Sequence, residues 1–438
     1  YDANGFVRSV SMRENGTEFT EQYTNDAIGR VLRYEDAAGQ VWTYEYEAKT
    51  VKERTPLGLE KSYWYNNRKD LIAVEEKDSE RHESRLTQLS YDRRHLVKEV
   101  KDGAGNITRY EYRADGKVIS EKRGTWEKRY EYDSAGRIAK IVQKKAGASE
   151  TFKTSAEYTL QGAERIQVFT DGLGNRQVYR YDAWSRLTEQ VNAAGEAFKR
   201  TYSAGGRALT AQGRYGGAYR YGYEAGLATS FGKDGSVAIQ RRYTPLGFLL
   251  TETDRDGRQT RYSYTERGLL RSISTDEGTI SYTYDGAGRV IEQTAYTEAN
   301  GHTYRTRYRY NGRSVTEEKG AYSTTYELNA WGNPISKTDG EGWVERYRYD
   351  GAGRISEVRD DIGLLAGYTY NELSLVASER HGTEIPVLYT YNAIGLLEKA
   401  ERGNEILLTR SYDKAGRLVR EKKQGVPEKT YRYDALGR

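Results

Sequence analysis

The chain has no cysteine, so no disulfide framework can staple it and no thiolate metal site is available. Histidine is nearly as scarce. His82, His95, His302 and His381 fall in separate stretches without the paired spacing of a zinc site, so solvated surface histidine and no metal are expected. Asp254-Arg-Asp-Gly257 resembles the opening of a calcium loop, yet Arg258 stands where an oxygen ligand is needed and no glutamate occupies the twelfth position. Glycine-rich strings such as Asp171-Gly-Leu-Gly-Asn175 do not open a helix, which removes the phosphate cradle. No cofactor is expected. No apolar run approaches the ~18 residues of a membrane span, and no leader pattern precedes Tyr1, so no membrane span is expected. The five prolines, Pro56, Pro245, Pro334, Pro386 and Pro427, fall at expected turns or strand edges, where a missing N–H is tolerated.

Hydrophobic residues are also short. They make up 36% of the chain, and the mean hydropathy is -0.90, against a usual apolar share of about 45–50%. A solid 438-residue globule would lack core material. Charge of one sign is lacking as well, since 69 basic and 64 acidic residues leave +5 spread along the chain. That is no concentrated basic patch, and no nucleic-acid partner is expected.

What is present is tyrosine, 40 of them, in a recurring stretch whose clearest copy is Tyr282-Thr-Tyr-Asp-Gly-Ala-Gly-Arg-Val290. Tyrosines two apart on a strand share a face. Asp285 followed by Gly288 suits a type I turn with a left-handed exit, and Arg289 begins the return strand. Turns of the Asp-Gly kind near Asp102, Asp171, Asp254 and Asp339 bring the chain back, so each unit reads as one β-hairpin. Counting the second tyrosine or its equivalent from Tyr1 to Tyr433 gives 21 copies with a mean period of 21.6 residues. Asp or Asn follows in 14 of them, too regular for chance.

The repeat residues singled out are Tyr132, Asp133, Gly136 and Arg137; Tyr181 and Asp182; Tyr284, Asp285, Gly288 and Arg289; Tyr349, Asp350, Gly353 and Arg354; Tyr370; Tyr391; Tyr412, Asp413, Gly416 and Arg417; and Tyr433 and Asp434. Their role is structural, and no catalytic, cofactor-binding or metal-binding residue stands out. The turn arginines are expected to pair with turn carboxylates or to stack on tyrosines. Tyrosines of successive repeats, such as Tyr349, Tyr370, Tyr391 and Tyr412, are expected to form a ladder on one face. Three intervals of 26 residues predict longer turns at 75–85, 143–151 and 294–302, and a short interval predicts a tight connection near Gly320.

Tyr-x-Tyr-Asp-x-x-Gly-Arg at this period resembles the YD repeat of bacterial Rhs and wall-associated polymorphic toxins, of the C component of insecticidal Tc toxins, and of teneurins. The resemblance covers the whole chain. It implies an all-β fold, a single long antiparallel ribbon of about 21 tandem hairpins and about 42 strands, curling into a spiral hollow shell. One continuous array over 1–438 is expected, cut inside repeats at both ends as a piece of a longer, exported protein. The resemblance also implies a non-enzymatic wall enclosing a C-terminal toxin domain absent from this chain, with capping domains or a delivery apparatus as further partners. The self-cleaving Asp-Pro motifs that close Rhs shells have no counterpart here; teneurins carry cysteine-rich modules, so the lack of cysteine favours a bacterial origin, and the resemblance implies a secreted or cell-surface protein. In a teneurin-like setting Asn15-Gly-Thr and Asn106-Ile-Thr would be glycan acceptors. The other reading is an adhesion or carbohydrate-binding module whose exposed tyrosines stack on sugars.

Overall fold

A computed structural model describes residues 1–213 and 217–438. Among the described residues forty strands, β1 (Ser9–Glu14) to β40 (Lys429–Thr430), form one antiparallel sheet that does not close on itself. The sequence predicts about 42; the outermost segments, 1–8 and 431–438, form no strand. The chain divides into two units, Tyr1–Leu89 with Asp102–Gly105 and Ile239–Gly363, and Ser90–Lys101 with Asn106–Ala238 and Leu364–Arg438.

One repeat shows why this sequence folds into hairpins. Strand β12 (Trp126–Tyr132) is followed by the turn Asp133–Arg137 and by β13 (Ile138–Lys145). The Gly136 N–H donates to the Asp133 carbonyl (2.9 Å), and the Asp133 N–H donates to the Arg137 carbonyl (2.9 Å). Gly136 sits at φ +75°, a conformation that costs other L-residues about 1–2 kcal/mol. The register slips by one residue between Glu131 and Tyr132, so the second tyrosine lies on a bulge. The same slip recurs before Tyr181, Tyr284, Tyr349, Tyr370, Tyr391 and Tyr412.

The three 26-residue intervals are not absorbed as loops. Strands β7 (Leu71–Asp78) and β8 (Glu83–Tyr91) lengthen instead, as do β13 with β14 (Thr151–Gln161) and β27 (Val290–Thr297) with β28 (His302–Asn311). Extra residues that alternate and pair satisfy their own N–H and C=O groups, which a loop would leave to water. The tight connection near Gly320 is a two-residue turn between β29 (Ser314–Lys319) and β30 (Tyr322–Leu328).

No conventional core forms. The buried hydrophobic residues are Leu59, Trp126, Phe152, Ala156, Ala330, Ala366, Ala393 and Ala400, and five of these eight are alanines. The accessible surface is 26879 Å², whereas a solid protein of this mass would expose about 17,000 Å². Along β10 (Ile107–Tyr112) and β32 (Val344–Tyr349) the tyrosines are half-buried and the residues between them exposed. The tyrosine face therefore takes the place of a core, at partial burial.

Candidate functional site: the seam between turns twelve repeats apart

The turn that follows the second tyrosine, here the YD turn, is an electrostatic module. Asp133 Oδ1 accepts the Arg137 N–H (2.8 Å) and Oδ2 accepts Arg137 Nε (2.7 Å). The Arg137 N–H, working against a smaller desolvation penalty and joined by the guanidinium, holds the Asp133 carboxyl below its ordinary value. Asp182–Arg186, Asp285–Arg289, Asp350–Arg354, Asp413–Arg417 and Asp434–Arg438 repeat the pair at 2.7, 2.7, 2.8, 2.7 and 3.1 Å. In the YD turn at Asn66 the fifth residue is acidic and the Asn66 amide donates to Asp70 (2.8 Å); the opposite-edge turn at Asn192 does the same to Glu196 (3.0 Å). Thr244 and Thr265 stand before the apolar Phe248 and Leu269 and supply a single hydroxyl acceptor. Asn371 and Asn392 also precede an apolar fifth residue, Leu375 and Leu396, and there the side-chain Oδ1 alone accepts its N–H (3.1 and 2.9 Å).

The second tyrosine closes the same edge. Its hydroxyl donates to the carbonyl at the start of the preceding return strand: Tyr132 to Val118 (2.6 Å), Tyr284 to Leu270 (2.6 Å), Tyr349 to Pro334 (2.6 Å), Tyr391 to Val376 (2.7 Å), Tyr412 to Leu397 (2.7 Å) and Tyr433 to Leu418 (2.7 Å). The turn arginine then lies over the second tyrosine of the next repeat. Arg137 is 4.4 Å from the Tyr158 ring centre, Arg289 4.3 Å from Tyr310, and Arg417 4.9 Å from Tyr433. At these three positions the ring meets a guanidinium, so each arginine serves a carboxylate and a ring together. Tyr181 takes its cation from Arg165, 6.0 Å away, and Tyr370 ends β34 (Leu364–Tyr370) on its bulge.

First tyrosines donate to glutamates instead, as in Tyr23 to Glu21 (2.8 Å) and Tyr389 to Glu379 (2.9 Å). Burial first, and then these carboxylates, push both phenols up to about 12. Burial also raises Tyr132, Tyr284 and Tyr391. A folded-state value above the unfolded 10.0 stabilises the fold below pH 10 and loses that contribution as pH rises through the folded values. Spectrophotometric titration at 295 nm should therefore show a cooperative rise near pH 12, with unfolding in the same step, and a smooth non-cooperative curve centred on 10 would contradict it.

The most buried polar residues lie where the ribbon meets itself. In each unit a YD turn docks on the opposite-edge turn of the repeat twelve before it. In the first unit Arg267 Nε donates to Glu14 (3.0 Å), and its other nitrogens donate to the carbonyls of Asp285 and Gly286 (3.0 Å each). Arg313 donates through Nη1 to both oxygens of Asp78 (3.0 and 2.8 Å) and through Nε to the Leu57 carbonyl (2.7 Å). Asp78 is fully buried and also accepts the Ala330 N–H (2.9 Å). Trp331 donates to Glu76 (3.0 Å) and lies beneath Arg85 (3.9 Å). In the second unit Trp126 Nε1 donates to the Asn392 carbonyl (3.0 Å), and Lys145 donates to that of Tyr391 (2.7 Å). The partners that meet across the seam are 235 to 266 residues apart in sequence.

Sequence reasoning misses these residues because the repeat hides them. Gly103, Gly172, Gly286 and Gly351 read as turn glycines, yet none needs a positive φ; a Cβ on each would strike backbone, at Gly351, Lys414, Ala37 and Gly103 respectively. Arg267 and Arg313 stand outside the periodic arginine position, and that aperiodicity is the one signal the sequence offers.

A family model described as the teneurin YD-shell matches residues 59–328, and one described as the RHS repeat matches 329–364. The chain belongs to the teneurin YD-shell family. Teneurin-3 of Danio rerio is 26% identical over 56% of this YD-shell chain and 9% of its own length. The tRNA3(Ser)-specific nuclease WapA of Bacillus spizizenii is 29% identical over 45% of the chain and 8% of its own length. The chain thus spans about a tenth or less of these relatives. A Tc holotoxin pore structure from Photorhabdus luminescens superposes on 94% of this chain and 26% of that one, with a TM-score of 0.57 at 14% identity. A TcdB2-TccC3-TEV structure gives 0.56 at 13% over 92% of this chain and 27% of that one. The shared fold is the all-β YD/Rhs sheet.

Proposed function

We propose that this YD-shell segment is a non-enzymatic wall of an exported bacterial toxin, and that it encloses a C-terminal toxin domain carried elsewhere in the parent protein. The carrying observation is the seam: one sheet with little core joins its two edges by buried ion pairs and backbone contacts, which makes a barrier without thickness. WapA is named a nuclease and another relative a double-stranded DNA deaminase toxin. Such activities suit a domain outside the repeats, because the polar groups of the YD turns are engaged in closing hairpins. The faces carry mixed charge, which suits weak, non-directional contact with whatever lies behind the wall. Capping domains or a delivery apparatus complete the partners.

Limited proteolysis of a longer protein carrying this segment tests the reading. The C-terminal domain should survive while the wall is intact and be digested once the seam is broken by substitution. Equal digestion in both cases, with tight binding of the segment to a glycan array, would favour adhesion instead.

A further inference from the structure

In the second unit the seam brings an amine, a carboxamide and a carboxyl group together. Lys145 ends β13, donates through Nζ to the Tyr391 carbonyl (2.7 Å) and lies over the Trp126 ring (4.9 Å). Trp126 Nε1 holds the next carbonyl along, that of Asn392. The oxygen that Lys145 grips belongs to the peptide unit that carries the backbone nitrogen of Asn392, so the amine is fixed beside that residue, against a ring that is itself buried.

Asn392 opens a docked YD turn and is 1% exposed. Its Oδ1 accepts the N–H groups of Ile394 (3.0 Å) and Leu396 (2.9 Å). Two such donors polarise the carboxamide and stabilise negative charge that develops on its oxygen. Its Nδ2 is buried and meets no acceptor among the described residues. In the turn begun by Asp413, Arg417 takes the corresponding second atom, whereas the fifth residue here is Leu396. No hydrogen bond of the fold therefore holds the Asn392 nitrogen. Glu398 stands just past the turn on β37 (Leu397–Arg402). Burial, and then the Glu150 carboxylate from the opposite-edge turn, raise its carboxyl above the ordinary value against the pull of Lys145. A carboxyl group in that condition, within electrostatic reach of the amine, suits proton transfer in both directions.

We propose that Lys145 and Asn392 form an isopeptide bond across the second unit's seam, with Glu398 as general base and then general acid. Glu398 takes the ammonium proton, which frees Nζ to attack Cγ, and the two backbone N–H groups hold the charge that gathers on Oδ1. The Cγ–Nδ2 bond breaks as Glu398 passes that proton to Nδ2, and the surplus proton on Nζ returns to Glu398. One ammonia leaves, and nothing is oxidised or reduced. An open groove of about 420 Å³, lined by Trp126, Gln143, Ala393 and Ile394, lets it reach water. The bond joins the two edges covalently in a chain that has no cysteine to do so. The first unit holds an internal control. Asn329 is fully buried, its Oδ1 accepts the N–H groups of Trp331 and Asn333, and its Nδ2 likewise meets no acceptor among the described residues. The cation docked there is Arg313, whose guanidinium stays charged and is no nucleophile.

Mass spectrometry of the whole chain after incubation at mildly alkaline pH tests the proposal. The intact mass should fall below that of the sequence by one ammonia, and a digest should yield a branched peptide joining Lys145 to Asn392, with Asn329 unchanged. Lys145→Arg keeps a cation for the Tyr391 carbonyl and should return the chain to its full mass. Glu398→Gln should slow the loss by about a hundredfold or more. A chain that keeps its full mass through prolonged incubation would overturn the proposal. So would a loss of ammonia that survives Lys145→Arg, because asparagine also loses ammonia by closing on its own backbone as a succinimide.

Discussion

Arg313→Ala should destabilise the first unit by about 3–5 kcal/mol, because it leaves the Asp78 carboxylate buried without its cation. Asp78 is fully enclosed, and Arg313 forms an ion pair with it across the seam (2.8 Å). Asp78→Asn in the same chain should restore most of the loss, since an amide oxygen still accepts the Ala330 N–H and carries no charge. Urea unfolding followed by hydrogen-exchange protection of the Ala330 N–H, which donates to Asp78, reports on that seam directly. If Arg313→Ala and the double variant unfold alike, buried charge is not what the arginine answers. Burial alone would raise the Asp78 carboxyl, but the Ala330 N–H and the Arg313 guanidinium outweigh it and hold the group low. A lowered folded value gives stability that is present above the unfolded 3.8 and lost only as pH falls through the folded value. Hydrogen-exchange protection around Asp78 should therefore persist at pH 5 and fail below 3.8.

Gly351→Ala should cost about 1–3 kcal/mol or more, the range for forcing atoms into packed space, although the residue sits in a turn where alanine is ordinarily harmless. Its Cβ would strike the Gly103 carbonyl, and backbone cannot swing aside as a side chain can. Gly103→Ala should have the same effect, and the two together should cost less than their sum because they open one contact. Gly340 occupies the same position in the turn after Asp339, but the nearest atoms to its Cβ lie 3.5 Å away. Gly340→Ala should therefore be neutral or slightly stabilising through the unfolded chain. Thermal unfolding of the three variants separates space from conformation: similar losses at Gly340 and Gly351 would show that the turn, and not the seam, requires glycine.

The hairpins, their period and the local role of Asp133, Gly136 and Arg137 are legible in the sequence, because each depends on residues within about five of one another. The seam is not legible, because it depends on which repeats lie side by side, and the period is blind to that. Tyrosine illustrates the middle ground. Its spacing foretells a shared face, but the rings of Tyr158, Tyr310 and Tyr433 meet arginines. The 26-residue intervals mislead for a related reason: five added residues can extend two strands as readily as a loop, and pairing favours the strands.

The twelve-repeat spacing of the seam has a consequence for how such a chain can change. Deleting one repeat between two docked partners would leave every hairpin foldable but pair each later turn with the wrong neighbour, setting Arg313 opposite a position without Asp78. Length is therefore locked in phase much as a reading frame is. Single-repeat insertions and losses should be accepted outside the interval between docked turns and rejected within it, and growth of the array should proceed most readily by whole circuits of twelve.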